Sequence, residues 1–112
     1  MTTAQELVDY EQAALTSFES AIRESCAEEQ LSREVARLEG KLEQLHNVAV
    51  MAARRAEQAE EIAALWQTMM QICERFAQKI QALVQSHPGC RASYDKVLDL
   101  LSDCKERHAF HA

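Results

Sequence analysis

Residues that turn a chain are nearly missing from this sequence: it has two glycines, Gly40 and Gly89, and a single proline, Pro88, in 112 residues. Sheets and loop-built active sites need such residues at every reversal. A β-rich fold is therefore excluded, and so is a Gly-rich loop that cradles phosphate. No apolar run approaches the ~18 residues of a membrane span, so no membrane insertion is expected. Residues 1–6 lack the basic start and apolar stretch of a signal peptide. A basic stripe is missing too. The net charge is −6, and the whole excess sits in residues 1–30, where seven acids stand against one base, Arg23. Residues 31–87 carry seven charges of each sign, and residues 88–112 carry four of each. Nucleic-acid binding leaves a basic footprint, and the short Arg54-Arg55 patch reads as a solvated face. The four cysteines (Cys26, Cys73, Cys90, Cys104) form no CxxC pair, which fits a soluble, intracellular, cytoplasmic protein with reduced thiols.

What fills the space is Ala, Glu, Gln, Leu and Arg, all good helix formers. The fold class expected is all-α, in a single domain over residues 1–112. The strongest pattern runs from Leu31 to Val84. Positions seven apart read Leu31, Leu38, Leu45, Ala52, Ala59, Trp66, Cys73 and Ile80. Four residues after each stand Val35, Leu42, Ala49, Ala56, Ala63, Met70, Ala77 and Val84. Alternating steps of four and three average 3.5, below the 3.6 of a straight helix, and keep one face only in a supercoiled pair. This predicts one long central helix with coiled-coil heptads over about 31–86. Such a helix spans about 80 Å at 1.5 Å per residue, more than the rest of the chain can cover, so a partner is required. Gly40 and His46-Asn47 are the candidate breaks, but the seam keeps step across both. From Ala49 to Ala63 the seam is nearly all alanine, which predicts a weaker waist between stronger ends.

An amino-terminal helix over 3–27 precedes it. Thr3-Ala4-Gln5-Glu6 fits a capping box, and Leu7, Val8, Leu15, Phe18 and Ile22 form a face out of phase with the seam. Glu24, Ser25, Glu28, Glu29 and Gln30 are too polar to extend that face, which places a break or a change of packing partner near residues 26–31, and Ser32 is a candidate cap for the next helix. At the other end Pro88-Gly89 stops the long helix, and a last helix over 90–108 carries Cys90, Tyr94, Val97, Leu101 and Cys104 as its stripe. A second stripe on the long helix, Ile62, Leu65, Met69, Ile72, Phe76 and Leu83, gives it a doubled face that needs more than one partner. The last helix folding back at Pro88-Gly89 covers one stripe, and the other is left for a dimer mate or a second protein.

Chemistry finds little support. His87-x-x-Cys90 and the group Cys104, His108 and His111 offer zinc-type donors, but a helix of about 20 Å separates the two sets. Cys90 and Cys104 read instead as small hydrophobes on an apolar stripe. No histidine lies near Cys26 or Cys73 in sequence, and no turn presents a nucleophile. No catalytic residue, metal or cofactor is therefore expected. The function expected is a non-enzymatic coiled-coil interaction subunit, a structural or adaptor component that forms a homodimer through the 31–84 seam and binds at least one other helical protein, not nucleic acid. The alternative is a small acidic helical chaperone that masks a client's helices, motivated by the acidic first thirty residues and the methionine-rich patch.

Overall fold

The computed structural model describes residues 2–24 and 27–111. It is all-helical. Helix α1 runs over Ala4–Glu24, α2 over Glu28–Arg55, α3 over Ala59–Val84 and α4 over Arg91–His111. A short 3₁₀ turn, Pro88–Cys90, leads into α4. Cys26 and Ser25 lie outside the described residues.

The start of α1 follows from its sequence. The Thr3 hydroxyl accepts the Glu6 backbone N–H at 3.3 Å, the forward half of the expected capping box. The next start does not. Ala27 stands at the cap of α2 with no side-chain bond, and Ser32 lies inside the helix. Ser32 instead faces the Pro–Gly turn, where a Cβ on Gly89 would come within 2.9 Å of its Oγ. Gly89 is thus a close-approach glycine.

The single long helix expected over 31–86 is not formed. It breaks at Ala56-Glu57-Gln58, away from both Gly40 and Asn47, and α3 returns along α2. The molecule measures 47 × 22 × 16 Å, about half the expected rod. Every residue from Arg54 to Glu61 is a good helix former, so nothing local stops the helix. Ala56 (φ −71°, ψ 134°) and Gln58 (φ −100°, ψ 130°) simply adopt extended backbone, without side-chain caps on either helix. The reason is burial. A straight helix would leave both stripes of residues 59–84 waiting for other chains, whereas the hairpin buries them at once. The bend falls in the alanine waist, where least apolar area is at stake. Charge agrees: Arg54 and Arg55 close α2 and Glu60 and Glu61 open α3, each sign suited to its helix end.

Helices α2 and α3 form the central pair. Each touches all three other helices, while α1 and α4 lie on opposite sides and do not touch one another among the described residues. Most of the seam is buried inside this one chain: Leu31, Val35, Leu38, Leu42, Leu45 and Ala49 from α2, and Trp66, Cys73, Ala77 and Ile80 from α3. Met69, Ile72 and Phe76 of the second stripe are buried beside them, with Leu65. Leu7, Ala14 and Phe18 of α1 complete the core on one side, and Val97 and Cys104 of α4 on the other. The last helix therefore folds back as expected, packing most extensively on α3. No described helix is long and apolar enough to cross a membrane.

Two mutations check this packing by thermal or urea denaturation. Leu42→Ala, at a fully buried site, should cost about 2–5 kcal/mol through lost transfer energy and a residual cavity. Gly40→Ala should stabilise by about 0.5–1 kcal/mol, because the position is helical and a Cβ there meets nothing within 4 Å.

Candidate functional site

Two features stand out where helices meet. The first is polar. His46 of α2, Cys73 of α3, and Asp103 and Cys104 of α4 converge on one place in the bundle. His46 Nε2 lies 2.6 Å from Asp103 Oδ2, and Arg107 Nε donates to the same oxygen at 2.8 Å. Cys73 Sγ and Cys104 Sγ are 3.9 Å apart. One donor atom each from His46, Asp103 and Cys104 falls within a 4.8 Å group. Trp66 forms the apolar floor: its ring sits 5.8 Å from the His46 ring, and the Arg107 guanidinium stacks over it at 4.9 Å.

This geometry sets the protonation of the cluster. The hydrogen bond with Cys104, helped by Asp103 and opposed by burial, raises the His46 pKa above its ordinary 6.5. Burial works against ionisation of Asp103, but the hydrogen bonds from His46 and Arg107 outweigh it and hold that carboxyl below the usual range. The two thiols divide their roles. The hydrogen bond with Cys104 raises the Cys73 pKa, and burial pushes it further up. Cys104 is drawn down by that hydrogen bond and by His46, against burial. Cys90, by contrast, is buried at the Pro–Gly turn, and burial raises its pKa against a hydrogen bond from Ser32.

The second feature is apolar. Where α1 begins, α2 ends and α3 begins, a cleft of about 750 Å³ is lined by Ala4, Val48, Met51, Ala52, Ala56, Ala64 and Leu65, with Arg55 and Glu61 among its charged residues. It shares Val48 with a groove of about 340 Å³ between α1 and α2, lined by Tyr10, Ala13, Ala14 and Leu45. Tyr10 is 64% exposed, Met51 46% and Val48 37%. The seam residues Ala52 and Ala56 reach this cleft half-buried, Ala63 and Met70 are half-buried, Ala59 is exposed and Val84 is half-buried. Ile62 and Leu83 of the second stripe are half-buried as well.

The structure therefore divides the expected seam. Its leucine-rich end, together with Trp66, Cys73, Ala77 and Ile80, faces inward, and part of its alanine waist opens on the cleft. Of the sequence's donor candidates, Cys104 has His46 and Asp103 as neighbours, while Cys90 sits at the opposite end of α4. Sequence reasoning missed His46 and Asp103 as site residues. In the sequence His46 reads only as a candidate helix break, and Asp103 as one charge in a balanced tail. The available signal was a polar residue, His46, directly after seam position Leu45, which a turn of helix brings to the edge of the buried face. No protein-family model matches the chain, and comparison with curated proteins and with solved structures likewise returns no match.

The polar cluster makes a pH prediction. The His46–Asp103 ion pair exists above the lowered pKa of Asp103 and below the raised pKa of His46. His46 contributes stability that is full below about 6.5 and is lost as pH rises through its folded value. Asp103→Asn should thus cost most near pH 5–6, about 0.5–1 kcal/mol because Asp103 is partly open to solvent, and progressively less toward alkaline pH. Urea denaturation of both proteins across pH reads the difference.

Proposed function

We propose that this chain is a non-enzymatic helical interaction subunit, a structural or adaptor component whose docking surface is the apolar cleft at the α1–α2–α3 end. The observation that carries the reading is the grouped exposure of Val48 and Met51 on that cleft, with exposed Tyr10 in the groove that shares Val48. Grouped apolar exposure of this kind marks an interaction site, whereas scattered exposed residues do not. The first partner is a second copy of the chain. Arg55 and Glu61 carry opposite charges within one patch, so a two-fold axis through the cleft pairs Arg55 of one copy with Glu61 of the other, as an isologous interface requires. The alanine waist of the heptad seam then serves the dimer, and the leucine-rich end serves the fold. Against an enzyme stands the burial of Cys104 and Cys73, both fully inaccessible, since a nucleophile must reach its substrate. Free thiols at Cys73, Cys90 and Cys104 suit a reducing, cytoplasmic setting, and the absence of a basic stripe speaks for protein rather than nucleic acid as partner.

The acidic α1 borders the same cleft and favours a second reading, a chaperone that shields a client's basic amphipathic helix there. Multi-angle light scattering over a range of concentrations separates the two. The adaptor reading expects a dimer that Met51→Lys and Val48→Lys shift toward monomer by at least tenfold in dissociation constant, while circular dichroism stays unchanged. A monomer at every concentration sinks self-association and leaves the chaperone reading. That reading in turn requires a basic helical peptide to bind the wild type and not Met51→Lys.

A further inference from the structure

We propose that His46, Cys73, Asp103 and Cys104 form a binding site for a divalent d¹⁰ metal ion, with zinc as the natural occupant. The argument is geometric. A tetrahedral zinc with Zn–S bonds of about 2.3 Å holds its two sulfurs about 3.8 Å apart. Cys73 Sγ and Cys104 Sγ stand at 3.9 Å, nearly that edge and almost twice the length of a disulfide bond. His46 and Asp103 supply the other two ligands: their donor atoms and Cys104 Sγ lie within 4.8 Å of one another, and Cys73 joins that group through Cys104. The hydrogen-bonded atoms of His46 and Asp103, 2.6 Å apart, open to about 3.3 Å when each ligates at about 2.0–2.1 Å, a rotamer-scale adjustment. Two thiolates, an imidazole and a carboxylate are the donor set that zinc prefers over harder cations.

Charge and access fit as well. Two thiolates and a carboxylate around Zn²⁺ leave one negative charge. The Arg107 guanidinium, already bonded to Asp103 at 2.8 Å, offsets it. The sulfurs are fully buried, but the His46 side chain is 12% exposed and that of Asp103 38%, so an ion enters from the oxygen and nitrogen side. Both cysteines ligate as thiolates and His46 as a neutral imidazole, so loading releases the thiol protons still held and the proton between His46 and Asp103 to the buffer. The ligands come from α2, α3 and α4, so the bound ion ties together three helices that packing, the His46–Asp103 pair and the Cys73–Cys104 hydrogen bond already join at this point. The site is separate from the cleft and does not depend on self-association.

The test is a titration of the chelator-treated, reduced full chain with Co²⁺, followed by displacement with Zn²⁺. One equivalent should give the intense visible bands of tetrahedral cobalt and a near-ultraviolet thiolate-to-cobalt charge transfer. It should also quench Trp66, the chain's single tryptophan. Zinc should bleach the bands and raise the thermal midpoint. Cys104→Ala should remove the charge transfer, His46→Gln should weaken binding at least tenfold, and Cys90→Ala should change neither. His46 is only half-buried, so its variant keeps the test decisive if Cys104→Ala fails to fold, with circular dichroism reporting the fold. No tetrahedral bands, or bands that survive His46→Gln at full affinity, overturn the proposal. So does binding lost in the His108→Gln, His111→Gln double variant with the four ligands intact, which moves the metal to the end of α4. Recovery of a Cys73–Cys104 disulfide in the freshly purified chain, seen as the loss of two hydrogens by mass, overturns it in favour of a redox pair.

Discussion

Helix α3 has to be buried on three sides. Two apolar stripes run along it, and between them Leu65, Trp66, Met69, Ile72, Cys73, Phe76 and Ile80 leave little of its circumference fit for water. A helix apolar over so wide an arc is stable only in the middle of something. In this molecule α2, α1 and α4 each cover part of it. The rest of the architecture follows from that need. α2 must turn back, so the helix breaks where no residue asks it to. α4 must return through Pro88-Gly89, and α1 must fill the groove that α2 and α3 leave on the far side. A single chain brings all three covers at no cost in association entropy, and this favours the closed bundle over the extended pair that the heptads alone describe.

Polar contacts act differently from the core. Arg75 grips the buried Glu11 with two hydrogen bonds, at 2.5 and 2.8 Å, and Lys79 meets Glu19 at 2.6 Å. Both pairs join α1 to α3. Lys96 lies 3.6 Å from Glu39, and His46 meets Asp103, so these pairs join α2 to α4. Each links helices that are not consecutive in the chain, where no short connection dictates who lies beside whom. Glu11 is enclosed enough that its partner matters: a buried carboxylate without its guanidinium costs about 1–3 kcal/mol or more, and a wrong arrangement of α1 would incur that cost. No buried side-chain nitrogen or oxygen among the described residues lacks a hydrogen-bond partner. The ion pairs thus add little net stability at the surface but discriminate against rival helix orders.

The polar cluster and the cleft sit at the two kinds of place that such a bundle leaves open to function. One is the junction of three helices, where side chains from distant positions converge at fixed separations. The other is an end where three helix termini meet and small residues leave space. Both lie along the same heptad register. Cys73 and Trp66 are seam positions at the cluster, and Ala52 and Ala56 are seam positions at the cleft. Side-chain size along one stripe therefore decides whether the chain packs, gathers donors or leaves a groove.

Local chemistry was enough to make most of the fold legible. The scarcity of turn residues gave all-helix, Thr3 and Glu6 placed the first start, and Pro88-Gly89 placed the last reversal, because each acts on its own backbone neighbours. The heptad stripe shows which face is apolar, and its large residues from Leu31 to Leu45 together with Trp66 and Ile80 are buried, while Ala52, Ala56, Ala59, Ala63, Met70 and Val84 are not. It does not state what covers that face. A stripe of 3.5-residue spacing is satisfied equally by another chain or by the same chain doubled back, and only the total of buried area over all four helices chooses between them. The break at Ala56-Glu57-Gln58 belongs to that total, although the switch from Arg54-Arg55 to Glu60-Glu61 was a faint local trace of it. The convergence of His46, Cys73, Asp103 and Cys104 had no local trace beyond single residues. Their separations along the chain, 57 residues between His46 and Asp103 for example, are closed only by helix packing, so tertiary structure alone decided the site.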